Sequence, residues 1–87
     1  MTTSQPELEA QFSTLVISLA SSSLIALGLE KNPQTNQTEK DLNVARFNID
    51  LLNILKTKTN NNLTEDEKRL LDTIISDLQI KFCEVSK

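Results

Sequence analysis

The sequence contains no histidine, tryptophan or tyrosine, and it has only one cysteine and one glycine. Without histidine, neither imidazole acid–base catalysis nor a Cys/His zinc site is possible. A single cysteine cannot form an intrachain disulfide or a redox pair, and a single glycine cannot build a glycine-rich phosphate-binding loop. We therefore predict a protein that is not an enzyme and that binds no metal or cofactor.

Clustered positive charge and aromatic side chains are also scarce. Nine Lys and Arg stand against twelve Asp and Glu, which gives a net charge of -3, and the basic residues are scattered along the chain. The aromatic residues are Phe12, Phe47 and Phe82. Nucleic-acid-binding surfaces usually combine a clustered basic patch with aromatic stacking, so the composition predicts no nucleic-acid partner.

The 87 residues suit one small domain, and 38% hydrophobic with 24% charged residues is ordinary for a folded protein. Apolar residues recur at helical spacing in three segments, without strand-like alternation, so we predict an all-α fold. Three helices are expected at about residues 6–29, 39–57 and 65–84, the last two forming an antiparallel hairpin. Residues 1–5 and 30–37 are expected to be flexible.

Capping residues determine the predicted helix ends. Pro6 suits the first position of helix one, and Gly28 is a stop signal near its end. Thr38 is the predicted N-cap of helix two. Thr64 and Glu67 have the spacing of a capping box at the start of helix three, directly after a corner with three consecutive asparagines.

Helix one is apolar on more than one face, and no charged residue occurs between Phe12 and Leu29. A three-helix monomer shields one broad stripe of each helix, and each large apolar side chain left in water forfeits about 1.5–3 kcal/mol. Self-association would bury the surplus, and small residues would let two backbones approach closely. We therefore predict a helical-bundle homodimer. The predicted interface residues are Phe12, Leu15, Val16, Leu19, Ala20, Ser22, Ser23 and Leu27.

The same uncharged stretch, about 18 residues long, reaches the lower limit for crossing a bilayer. Its serine and threonine content and the acidic residues before it argue against insertion. The predicted function is a non-catalytic structural or protein-interaction module, and two alternatives stay open. One is a membrane-associated protein that uses helix one, and the other is a helical bundle that binds a small ligand between its helices.

Several polar residues have structural interpretations. Asp50 is the best single candidate for acid–base chemistry, but we predict an ion pair with Arg46 one turn earlier. The acidic run Glu65–Glu67 is expected from the helix dipole rather than from a metal site. Cys83 is predicted to be a partly buried free thiol, which agrees with a reducing compartment and a cytoplasmic location.

Short motifs along most of the chain carry a family resemblance. The matching positions are Phe12, Leu15-Val16, Ser18-Leu19-Ala20, Leu27-Gly28, Asp41-Leu42, Ala45-Arg46, Ile49-Asp50, Leu52, Leu55, Lys58-Thr59, Asn62-Leu63-Thr64, Glu67 and Leu70-Leu71. With these residues the sequence resembles the domain of unknown function 1844, a family of small bacterial proteins. Asn61 stands where the family favours a glycine, and asparagine tolerates the left-handed conformation expected there.

The resemblance implies a short, soluble, cytoplasmic bacterial protein and brings no catalytic or binding residues. We interpret its polar matches Lys58, Thr59, Asn62 and Glu67 as corner and cap residues rather than as a ligand site. The expected partners are a second copy of the chain and another protein, which would dock in an exposed apolar groove or on the 30–37 segment.

Overall fold

The computed structural model describes residues 11–87. Its helices are α1 (Phe12–Ala26), α2 (Leu42–Lys58) and α3 (Glu65–Val85). Within the described residues all regular secondary structure is helical, which confirms the predicted all-α class. The predicted start of helix one at Pro6 and the predicted flexibility of residues 1–5 lie outside the described residues. The homodimer that would complete the bundle stays a prediction.

Helix α1 ends at Ala26, about three residues earlier than predicted, because Gly28 turns the chain. Gly28 has a φ of 79°, in the left-handed region that favours glycine. Its N–H donates to the carbonyl of Ile25 at 3.0 Å, and the N–H of Leu29 donates to the carbonyl of Leu24 at 3.0 Å. These two bonds form a Schellman motif, which satisfies carbonyl groups at the end of the helix.

The connection between α1 and α2 contains a hydrogen-bonded turn. The N–H of Asn32 donates to the carbonyl of Gln37 at 2.9 Å, and Asn36 inside the turn has a φ of 58°. The Asn32 side chain also accepts a hydrogen bond from the N–H of Gln34 at 2.8 Å. The sequence patterns did not predict this turn. The flexibility of residues 30–37 stays a prediction.

Helix α2 begins at Leu42 rather than at residue 39, and the predicted N-cap Thr38 is wrong. Asp41 is the N-cap, since its side chain accepts a hydrogen bond from the N–H of Val44 at 3.2 Å. The N–H of Asp41 donates to the carbonyl of Ala26 at 2.7 Å. This bond ties Asp41 to the end of α1, and the Asp41 backbone is extended. The helix therefore begins after Asp41, although Thr38 is locally a suitable N-cap.

The corner between α2 and α3 agrees with the sequence. Asn61 has a φ of 65°, so asparagine does adopt the left-handed conformation at this position. The N–H of Glu67 donates to the hydroxyl of Thr64 at 3.1 Å, and the N–H of Thr64 donates to the carboxylate of Glu67 at 2.9 Å. This capping box starts α3 at Glu65, as predicted.

Replacing Thr64 with alanine is expected to lower the free energy of unfolding by about 1 kcal/mol, because the N–H of Glu67 loses its acceptor. Urea unfolding followed by far-UV circular dichroism measures this loss. The matched control is Thr73→Ala, at an exposed position inside the same helix. Alanine favours a helix interior, so this control should be neutral or slightly stabilising. Equal losses in both variants would contradict the capping role.

The core is formed by one face of each helix together with the residue after α1. Its buried residues are Val16, Ala26, Leu27, Ala45, Ile49, Leu52, Leu71, Ile75 and Leu78. Helices α2 and α3 run antiparallel, since Lys56 pairs with Asp72 near the corner while Arg46 reaches Phe82 far from it. The predicted hairpin is therefore confirmed.

The molecule is a plate rather than a sphere. Its Cα atoms extend over 38 × 35 × 15 Å, and their radius of gyration is 14.3 Å. A compact domain of this length would have a radius of gyration of about 12 Å. A thickness of 15 Å leaves room for two helix layers at most, because packed helices lie about 8–10 Å apart. The outer faces of the helices therefore lie at the surface of the chain.

Candidate interaction surface

The predicted dimer interface divides between the core and the surface of a single chain. Val16 and Ser23 are fully buried, and Leu27 is 1% exposed. The hydroxyl of Ser23 donates to the carbonyl of Leu19 at 2.9 Å, which satisfies this buried polar group within its own helix. These residues already pack inside one copy.

The other predicted interface residues are half-buried or exposed in the single chain. Phe12, Leu19 and Ala20 are half-buried and pack against it. Leu15 is 47% exposed, and Ser22 is exposed as well. Contact with a second copy stays a prediction for all of these positions. Leu15 and Ser22 are the two whose side chains are exposed in the single chain.

Helix α1 presents a row of uncharged residues on its outer side. The row consists of Leu15, Ser18, Ser22 and Ile25, spaced by three, four and three residues, so they share one face of the helix. Two small serines lie between the larger end residues. We call this row the outer trough, because its middle carries little side-chain volume.

Helix α2 presents a second apolar face that the predicted interface did not include. Val44, Phe47 and Ile54 are 45%, 61% and 54% exposed, and Leu51 between them is half-buried. Their spacing is again three, four and three, the spacing of a coiled-coil seam. We call these four residues the outer ridge. In the sequence, apolar residues cover two adjoining faces of α2. This pattern was the signal from which the outer ridge could have been predicted.

The outer trough and the outer ridge meet along the junction of α1 and α2. Ser22 and Ile25 of the trough and Val44 of the ridge line one groove of about 510 Å³. The α1–α2 connection closes one end of this groove with residues 32–34. The two rows therefore lie side by side on one face of the chain, and Glu39 and Asp41 also line the groove where the rows meet.

Comparison with known protein families gives one match. A family model described as a domain of unknown function, DUF1844, matches residues 9–84. The chain belongs to this family. The match confirms the resemblance carried by the sequence motifs. No curated protein and no solved structure matches the chain.

The DUF1844 match covers α1, α2, both connections and all of α3 except its last residue. The outer trough and the outer ridge therefore lie entirely inside the family domain. The family description assigns no activity to DUF1844.

Thr59, Asn62 and Glu67 lie at or next to the corner between α2 and α3. The hydroxyl of Thr59 donates to the carbonyl of Leu55 at 2.7 Å, and the N–H of Asn62 donates to the carbonyl of Thr59 at 2.9 Å. Glu67 belongs to the capping box. The side chains of Thr59 and Glu67 therefore make the predicted corner and cap contacts, and the role of the Asn62 side chain stays a prediction.

The predicted ion pair between Arg46 and Asp50 is wrong. Within the described residues no ion pair joins them, and the guanidinium of Arg46 lies 5.8 Å from the ring centroid of Phe82. A cation above an aromatic face is attracted to the electron-rich ring. Arg46 therefore links α2 to α3 instead of pairing along its own helix.

Cys83 is exposed, so its predicted partial burial is also wrong. Leu71, Ile75 and Leu78 set the core-facing side of α3, and Cys83 lies to one side of it, at the edge of a groove that Arg46 and Phe82 also line. The thiol therefore faces solvent in the isolated chain.

Two further observations bear on the functional alternatives. None of the helices within residues 11–87 combines the length and the apolar character needed to cross a bilayer. In that same part of the chain, no three His, Cys, Asp or Glu side chains are grouped in a way that could hold a metal ion.

Proposed function

We propose that this DUF1844 chain is a non-catalytic structural or protein-interaction module that acts as a homodimer. One observation carries the proposal, which is the face formed by the uncharged residues of the outer trough and the outer ridge. Full burial of a large apolar side chain contributes about 1.5–3 kcal/mol, and the half-exposed side chains of this face forfeit part of that. Contiguous exposed apolar faces of this kind are typical of protein–protein contacts.

The acidic side chains of α3 support the non-catalytic part of the proposal. Asp66 pairs with Arg69 at 3.3 Å, Asp77 pairs with Lys81 at 2.7 Å, and Glu67 closes the capping box. These contacts give the carboxylates ordinary helix-surface roles. A structural role therefore accounts for Asp66, Asp77 and Glu67.

The Asp72 carboxylate fits the same interpretation. Its Oδ1 atom is shielded from solvent and lies 3.0 Å from the Nζ atom of Lys56. Lys56 lies in the last turn of α2. This ion pair therefore joins α3 to α2 next to the corner. A corner cavity of about 220 Å³ beside it is lined by both cationic and acidic residues.

A cytoplasmic location is part of the proposal. An exposed free thiol such as that of Cys83 persists in a reducing compartment, whereas an oxidising one promotes disulfide formation between chains.

The mass of the full chain in solution tests the homodimer. Light scattering at several concentrations, without detergent, is expected to give about twice the monomer mass of 9.8 kDa. A mass that stays at 9.8 kDa across the concentration range would overturn the homodimer. The exposed face would then be assigned to a different protein or to lipid.

A further inference from the structure

The outer ridge and the outer trough are complementary in shape. The ridge carries the large side chains of Val44, Phe47, Leu51 and Ile54, whereas the middle of the trough carries only Ser18 and Ser22. Helices pack when the side-chain ridge of one fits the groove of the other. Small residues let helix axes approach closely, so a ridge of large residues fits best above a row of small ones.

Both complementary elements occur in the same chain at similar length. Helix α1 has 15 residues and α2 has 17, so they are about 22 Å and 25 Å long. The backbone bond from Asp41 to Ala26 joins the end of α1 to the start of α2, so the two rows lie alongside each other in opposite directions. A two-fold axis parallel to them places each ridge over the trough of the other copy.

Charge also favours a second copy. The chain has a net charge of -3, so contact between two copies is least unfavourable through a surface that brings no like charges close together. Helix α1 has no charged residue between Phe12 and Ala26, and the four residues of the ridge are uncharged as well. Glu39 and Asp41 line the groove beside the α1–α2 connection, so this charge lies at one end of the face.

The size of the face suits a stable dimer. Two adjacent helices of this length, each about 10 Å wide, present a face of about 500 Å² in projection. The accessible surface of a face with protruding side chains exceeds its projection. A stable interface buries about 800 Å² of accessible surface per partner, which is the same scale.

Resting on the proposed homodimer, we infer that the two copies pack face to face through α1 and α2. The outer ridge of each copy occupies the outer trough of the other. The four helices α1 and α2 of both copies then form a bundle, and α3 lies outside the contact. Val16, Ser23 and Leu27 keep their places in the core of each copy.

Two substitutions on the face test this arrangement by light scattering. Phe47→Glu places a charge on the ridge, and Ser22→Arg places a large charged side chain in the trough. Both positions are exposed in the single chain, so folding should be retained and far-UV circular dichroism should stay unchanged. We expect either variant to halve the mass. Ile80→Glu on α3 is the matched control, since Ile80 is 59% exposed but lies outside the face, and its mass should not change.

The outcomes separate the inference from the proposed function. If the unmodified chain is a dimer and both face variants stay dimers, the homodimer stands and this interface is overturned. If the unmodified chain is a monomer, the homodimer and the interface fail together. If Ile80→Glu has the monomer mass while both face variants keep the dimer mass, the contact lies on α3 and this interface is overturned.

Cross-linking tests the ridge-to-trough register directly. In a Cys83→Ser background, Phe47→Cys and Ser22→Cys are made as separate chains and mixed under mild oxidation. We expect a disulfide-linked pair containing one chain of each kind, detected by mass spectrometry of the linked peptides. If instead the linked pairs contain only identical chains, the ridge-to-trough register is wrong.

Discussion

Truncating Leu52 to alanine is expected to lower the free energy of unfolding by about 3 kcal/mol. Leu52 is fully buried in α2 and belongs to the core shared by all three helices. The alanine variant loses the transfer free energy of the removed atoms and leaves a cavity that the surrounding helices fill incompletely. The net stability of a chain this short is about 5–10 kcal/mol, so the loss is a large fraction of it.

Urea unfolding at a single protein concentration measures this effect, since the stability of a self-associating chain depends on concentration. The matched control is Ile80→Ala, which removes a similar apolar group from an exposed position outside the proposed interface. Its effect should stay within about 0.5 kcal/mol. A Leu52→Ala loss as small as that of the control would contradict the placement of Leu52 in the core.

Replacing Ala45 with aspartate is expected to leave the chain largely unfolded at neutral pH. Ala45 is fully buried in α2, where it faces the core. An unpaired buried charge costs about 3–5 kcal/mol, and the larger side chain must also be accommodated in packed space. This cost is comparable to the whole stability expected for the chain. Far-UV circular dichroism and size-exclusion chromatography would report the loss of helix and of compactness.

Asn43→Asp is the control for this substitution, because it places the same side chain at an exposed position two residues earlier in the same helix. A carboxylate in the first turn interacts favourably with the helix dipole, so this variant should be as stable as the original chain or slightly more so. If Ala45→Asp folds as well as Asn43→Asp, the assignment of the α2 core face is wrong.

Local signals predicted the parts of the fold that depend on neighbouring residues. The capping box of Thr64 and Glu67 involves residues three positions apart, so the start of α3 at Glu65 could be predicted correctly. The left-handed conformation of Asn61 likewise follows from the side chain itself. The start of α2 could not be predicted this way, because Asp41 is held by the carbonyl of Ala26 in another element.

The candidate site was only half predictable. Leu15 and Ser22 were expected at the interface and lie at the surface, whereas Val16 and Ser23 were expected there and lie in the core. Apolar and small residues occur all around α1, so its sequence does not distinguish the core side from the outer side. Phe47 was missed because its exposure depends on which face of α2 meets the other helices.

The sequence alone determined that this protein has three helices, because apolar spacing, capping residues and turn residues act over a few positions. It also determined that apolar surface exceeds what one copy can bury. Only the tertiary structure decided which face of each helix forms the core, since that choice depends on packing between residues distant in sequence. By turning one side of α1 and α2 inward, this packing left the outer trough and the outer ridge at the surface.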